Sequence, residues 1–185
     1  MKNIMILVSG MPATGKTTFA RWLSPEARAP LVCYDSIKEK TLELMYASCE
    51  SAEQYGLFGR IPYEFFMFNC EEIMKSRSML IAEYFFTTQM KDMLDSLTGK
   101  YNYTTVTVHM DAAPEIAHRR FLERNRSGAQ PEGMRPAEIT LEQFTAGTKQ
   151  NRDFRYGDKI IHVNTDDFSL VSYDGIAERI LGDYI

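Results

Sequence analysis

Residues 4–17 read Ile4-Met5-Ile6-Leu7-Val8-Ser9-Gly10-Met11-Pro12-Ala13-Thr14-Gly15-Lys16-Thr17. The continuous apolar run Ile4 to Val8 is the mark of a strand buried on both faces. From Gly10 to Thr17 the sequence is a full G-x-x-x-x-G-K-[ST]. Its glycines let the backbone curl, so that successive N–H groups point inward and form a nest for an anion. A helix from about Gly15 to Leu23 adds the positive end of its dipole. Lys16 can reach the β- and γ-phosphates of a nucleotide, and the Thr17 hydroxyl suits Mg²⁺. The expected nucleotide-binding set is therefore Gly10, Met11, Pro12, Ala13, Thr14, Gly15, Lys16, Thr17 and Thr18. ATP and Mg²⁺ are the expected cofactors, and Thr17 is the metal residue.

Outward from this loop, strand and helix patterns alternate. Leu31 to Tyr34, Met79 to Ala82, Thr104 to His109 and Lys159 to Val163 read as further strands. Ser36 and Glu39 have the spacing of a capping box. Pro62 suits the first turn of a helix carrying Phe66, Cys70, Ile73 and Met74. A helix striped by Met90, Met93, Leu94 and Leu97 is expected to stop at Gly99. Pro114 opens an arginine-rich helix to about Asn125, residues 127–137 read as a loop, Thr140 and Gln143 cap the next helix, and Ser172 begins the last. Strands separated by helices predict a parallel sheet covered on both faces. The pattern itself does not give the strand order.

Composition narrows the function classes. The chain has 185 residues, the size of one domain, and is expected to be a single domain over 1–185. Its hydrophobic fraction of 44% and charged fraction of 25% are those of a globular protein rather than a disordered or disulfide scaffold. A net charge of −4 makes a nucleic-acid partner or a basic membrane-surface role an unfavourable reading. Residues 118–155 nevertheless hold eight Lys/Arg against five Asp/Glu, which suggests a local anion site. Cys33, Cys49 and Cys70 lack metal-binding spacing and read as reduced thiols. The text before Gly10 lacks a signal-peptide pattern, and no apolar stretch approaches the roughly 20 residues needed to cross a bilayer. A cytoplasmic protein with no membrane partner is expected; the sequence specifies no oligomeric state.

Asn164-Thr165-Asp166-Asp167 lacks the lysine of the guanine-reading N-K-x-D. Together, the phosphate loop, Tyr34-Asp35 ending strand two, Glu83 ending strand three, and His109 to Glu115 leading into Arg119, Arg120 and Arg124 resemble the zeta-toxin-like and polynucleotide-kinase-like P-loop kinases of the AAA-domain group. Chloramphenicol phosphotransferase and the shikimate and gluconate kinases are similar in plan. The resemblance implies a three-layer α/β/α P-loop NTPase fold whose five-stranded parallel sheet has the order 2-3-1-4-5. It also implies an acceptor-binding region over about 36–76, a lid over about 119–150, and transfer of the ATP γ-phosphate to a hydroxyl of a small molecule. A polynucleotide- or nucleotide-type kinase, and a toxin or nucleotide-binding switch, are the competing readings.

Several further residues become candidates on this footing. Asp35 lies where a parallel sheet binds ligands, and with Ser36 taken as the helix cap it is free to orient the acceptor hydroxyl. Glu83 sits at the same edge; it can bind the acceptor, hold Mg²⁺ through water, or simply end the strand in solvent. Arg120 and Arg124, four apart, share a helix face. They are either a solvated face or a catalytic clamp on phosphate oxygens, and Lys16 and Asp35 complete the catalytic set. In related kinases the first lid arginine stacks on adenine, a role given to Arg119, with Asn164 flanking the base. Arg152, four before Tyr156, resembles the substrate arginine of shikimate-type kinases, with Arg155 an equal rival. The aromatic stretch from Tyr55 to Phe68 falls in the acceptor region, and Tyr63 and Phe66 are its candidate wall.

Overall fold

The computed structural model describes residues 3–46, 57–127 and 138–182, the side chains of 45, 46 and 57–59 excepted. Along the chain run β1 (Ile4–Gly10), α1 (Lys16–Ala27), β2 (Leu31–Cys33), α2 (Tyr34–Tyr46), α3 (Leu57–Lys75) and β3 (Leu80–Glu83). After a 3₁₀ turn at Thr88–Met90 come α4 (Lys91–Tyr101), β4 (Thr104–Asp111), α5 (Pro114–Arg126), α6 (Leu141–Arg152) and β5 (Lys159–Asn164). A second 3₁₀ turn, Phe168–Leu170, leads to α7 (Tyr173–Leu181). The strands are parallel and lie in the order β2-β3-β1-β4-β5. This is the P-loop NTPase fold, with the sheet order that the resemblance implies.

The order puts β1 in the middle, which is why its apolar run points both ways. Ile4, Ile6 and Val8 pack with Val106, Val108 and Ile161 under Phe19, Ala20 and Leu23 of α1 and Ile176 and Ile180 of α7. Met5 and Leu7 face the other layer, with Leu80, Ala82, Phe66, Cys70 and Met74 of α3, and Leu94 of α4. Ile4 through Val8 are at most 1% exposed, so a charge at any of them would be buried without a partner. A smaller cluster joins Met11 of the phosphate loop to Ala117 and Phe121 of α5 and Phe144 of α6. The loop is thus clamped to the two helices that follow β4. Chain connections leave β1 toward β2 on one side and pair it with β4 on the other. That switch point, at the carboxyl ends of the strands, is where such sheets hold ligands.

Local signals mostly act as their chemistry requires. Pro114 sits in the first turn of α5. Thr140 and Gln143 form both bonds of a capping box on α6, and the Ser172 hydroxyl accepts from Gly175 N–H to start α7. Two expectations fail. Pro62 lies inside α3, which begins at Leu57; burial of Phe66, Cys70 and Met74 along that helix offsets the cost of an interior proline. α4 runs through Gly99 to Tyr101 and ends on Asn102, whose φ of 56° is left-handed. Asparagine can take that conformation, so the glycine is not what stops the helix.

Candidate active site

The phosphate loop forms because its glycines accept conformations and approaches that other residues cannot. Gly10 has φ 146°, and a Cβ there would come within 1.9 Å of the Met110 carbonyl oxygen on β4. Gly15, at φ 83°, is the left-handed residue before α1, and a Cβ on it would press within 2.9 Å of the Phe168 ring. Ala13 is also left-handed, at φ 63°. The Thr14 hydroxyl and the Lys16 ammonium both donate to the Met11 carbonyl at 2.8 Å, cinching the loop from inside. The cradle and the dipole of α1 therefore suit a phosphate chain.

Above the loop lies a cleft of about 520 Å³. Its floor is Pro12, Ala13 and Gly15 to Thr18. One wall is Tyr34, Asp35 and Lys38 from α2, with Glu83, Tyr84 and Phe85 from the end of β3. The opposite wall is Phe121 and Arg124 of α5 and Gln143, Phe144, Gly147 and Thr148 of α6. Lys16, Thr17, Asp35, Glu83 and Arg124 are thus brought to one space above the phosphate loop.

The charges in this space act on one another. Burial pushes the Lys16 pKa down; Glu83 and Asp35 oppose this, and Arg124 adds to it. Glu83 is 2% exposed. Burial pushes its pKa up, Lys16 opposes, and nearby Asp35 reinforces the rise. The buried Cys33 thiol donates to Glu83 Oε2 at 3.0 Å, and the Thr17 hydroxyl also favours the carboxylate. Glu83 therefore does not end its strand in solvent; it turns inward beside Thr17, a donor set that fits Mg²⁺. Arg124 holds its Nε buried without a partner, with the guanidinium 6.0 Å from the Phe121 ring centre. An anion in the cleft would find that charge at hand.

Other candidates stand elsewhere. α2 begins at Tyr34, directly after β2, so Asp35 lies in its first turn and Ser36 is not the cap. Asp35 keeps its place in the cleft, but the capping box on Ser36 is absent because the helix starts two residues early. Arg120 does not join Arg124. Its guanidinium donates at 2.7 Å to the carbonyls of Thr165 and Asp166 and lies 4.2 Å from the centre of the Phe168 ring. Four residues span slightly more than one turn, and the loop after β5 supplies carbonyls only to the first arginine. Arg119 is exposed, so the place beside the β5 loop belongs to Arg120 and not to Arg119. Asn164 is at that loop, its side chain bonded to Asp166.

Arg152 lines a separate groove with Asp111, Glu142, Lys149 and Arg155. The groove uses the side of α6 that carries residues 142, 145, 149 and 152, and the cleft uses the side with 143, 144, 147 and 148. Arg152 is therefore not brought to the phosphate loop. Arg155 donates to the carbonyls of Arg152 and Phe154. Phe66 is fully buried among Tyr34, Tyr84 and Phe86, making it core rather than cavity wall. Tyr63 stands behind Tyr84, with ring centres 6.2 Å apart. Tyr55 lies outside the described residues, as do 47–56 of the acceptor region and 128–137 of the lid. The aromatic wall consists instead of Tyr34, Tyr84 and Phe85, which adjoin the two acids in sequence; Lys38, one turn from Asp35, shares its helix face.

A family model described as an AAA domain matches residues 6–169. No curated protein matches the chain. Among solved structures, a "putative kinase" from Chloroflexus aurantiacus j-10-fl superposes with a TM-score of 0.84 at 22% identity, over 98% of each chain. A sugar kinase from Janibacter sp. HTCC2649 gives 0.57 at 15% identity, over 96% of this chain and 92% of its own. A shikimate kinase from Bacteroides thetaiotaomicron gives 0.52 at 16%, over 97% of each. At these identities the likeness is one of fold, and the fold is kinase-like. The family match runs from β1 through the phosphate loop and both acids to the turn after β5; over that span the chain belongs to the AAA domain family.

Proposed function

We propose that the protein is a small-molecule kinase that moves the γ-phosphate of ATP to a hydroxyl, with Mg²⁺ as its metal. The observation that carries this reading is the single cleft above the phosphate loop. Glu83, Asp35 and Arg124, from three different elements, line it together with Lys16 and Thr17. Phosphoryl transfer asks mainly for positioning and neutralisation of charge, and this set is arranged for both. Lys16 and the loop N–H groups bind the phosphates, and Arg124 meets charge on the transferred group from the opposite wall. Thr17 and Glu83 are the residues that would hold Mg²⁺, which when bound neutralises the β- and γ-oxygens. Asp35 accepts a hydrogen bond from the acceptor hydroxyl and aims its oxygen.

The acceptor side is α2 with the end of β3. Tyr34 and Tyr84, in edge contact at 4.4 Å, and Phe85 suit a ring-bearing acceptor. On the nucleotide side, Arg120, Asn164 and Phe168 form the base edge. The kinase names of the structural neighbours agree with this reading. No helix among the described residues is long and apolar enough to cross a membrane; a cytoplasmic site of action is part of the proposal. The test is an ATP-consumption screen over nucleosides, sugars, amino sugars, antibiotics and polyols. Turnover with one class, abolished by Lys16→Ala, is the expected result. ATP binding with no turnover on any class would favour a nucleotide-binding switch, and growth arrest on expression a toxin.

A further inference from the structure

Glu83 is an unusual acid for a metal-side role because water cannot hold it in place. It is 2% exposed, and its neighbour on the edge strand is Cys33, 7% exposed. The parallel register pairs Cys33 with Glu83 across β2 and β3, so the two side chains leave the sheet on the same face. The thiol donates to Oε2 at 3.0 Å. Glu83 also lines the cleft, beside Lys16 and Thr17, which both act on its carboxylate. Ser36, in the first turn of α2, lies close enough to Cys33 to bear on its thiol. A line of polar groups thus runs from Cys33 at the end of β2 through Glu83 to Thr17 at the start of α1.

We propose that Cys33 is a positioning residue: its S–H fixes one oxygen of Glu83 so that the other faces the metal position at Thr17. The proposal rests on the kinase reading above and adds to it a residue that touches neither nucleotide nor acceptor. The physical reason is that a carboxylate in a nearly dry site has few donors to choose from. Remove the thiol proton and Oε2 is left unpaired, so the side chain rotates. That change weakens metal binding without touching the loop N–H groups that hold the phosphates. A residue that merely filled space at the end of β2 would have no such selective effect.

The experiment is calorimetry of ADP binding, once in EDTA and once with Mn²⁺, for wild type, Cys33→Val and Cys33→Ser. Valine keeps the site filled and apolar, with about one methyl more than cysteine, and removes the donor; serine restores an O–H. In EDTA all three are expected to bind ADP equally. With Mn²⁺, Cys33→Val is expected to lose about tenfold or more in affinity for the metal in the ADP complex, the usual scale for a group supporting a metal ligand. Cys33→Ser is expected to recover most of that loss. Equal Mn²⁺ affinity in Cys33→Val overturns the proposal, as does a loss of ADP affinity of the same size in EDTA. Should Cys33→Val fail to fold, the S–H Raman band of the wild type decides. It is expected to shift when Mg²⁺ joins ADP and not with ADP alone, and an unmoved band overturns the assignment. A wild type that binds no ADP in EDTA would remove the phosphate site itself, and the kinase reading with it.

Discussion

Asp35 and Glu83 stand at one cleft but differ in what surrounds them. Asp35 is partly exposed in the first turn of a helix, free to meet an acceptor, whereas Glu83 is enclosed by Cys33, Thr17 and Lys16. Asp35→Asn is therefore expected to lower transfer by about 10²–10⁴-fold, the span of a positioned acid–base group, with nucleotide affinity unchanged. Steady-state kinetics beside ADP calorimetry reads this, and wild-type transfer by Asp35→Asn would return the orienting role to Glu83. Arg124→Ala is expected to reduce kcat by about 10²-fold with little change in ATP binding, because its charge matters most as transfer proceeds. An unchanged kcat would remove Arg124 from the transfer step. His109, on β4, is fully buried with neither ring nitrogen partnered. Burial, helped by Arg155 and His162, pushes its pKa down from 6.5 to about 4. The unfolded chain takes up this proton first as pH falls. Stability is therefore whole above about 6.5 and declines toward about 4, by about 3 kcal/mol in total. Urea unfolding at pH 7 and pH 5 should show a smaller decline for His109→Leu, which gives up no hydrogen bond; an equal decline would contradict this. At this scale the residues beside the loop were legible because their chemistry is local. Arg120 and Arg152 were not, since which neighbour an arginine meets depends on carbonyls and helix sides set by the tertiary fold.

Helices α5 and α6 carry one wall of the cleft, and Phe121 and Phe144 tie them to Met11 of the loop. The capping box on Thr140 anchors the start of α6, four residues before Phe144. Thr140→Ala is expected to cost about 1 kcal/mol, read by thermal unfolding. No loss of stability would mean that α6 begins without needing its cap. The glycine inside α4 gives the opposite kind of test. A Cβ on Gly99 meets nothing within 4 Å, and the helix passes straight through it. Gly99→Ala is thus expected to stabilise the protein by about 0.5–1 kcal/mol, and a destabilised variant would show that the space is not free. Elements were legible where two signals agreed, as at Thr140 with Gln143 and at Pro114. They were misread where a single residue stood for a boundary. Gly99, Pro62 and Ser36 each suggested an end or a start, but packing of the apolar stripe decided where the helix ran.

The whole molecule is an acidic chain whose arginine-rich stretch is split by the fold, with Arg124 at the cleft, Arg120 at the loop after β5 and Arg152 in a separate groove. The middle position of β1 sends successive connections to opposite sides and opens the sheet above Gly10. The other charged groups of the cleft then arrive from elsewhere: Glu83 from β3, Asp35 and Lys38 from α2, Arg124 from α5. The parallel sheet was legible because buried strands alternate with amphipathic helices. Its order was not, because pairing depends on which strand edges meet, and only the resemblance supplied it. The central claim is that this convergence transfers phosphate, not merely that it binds it. Mass spectrometry of the reaction with γ-¹⁸O-labelled ATP, over the acceptor panel, tests that claim most directly. The account predicts one acceptor gaining the labelled phosphoryl group in equal amount to the ADP formed, with neither product made by Lys16→Ala. ATP that stays intact with every acceptor, or label found only in free phosphate, would contradict it.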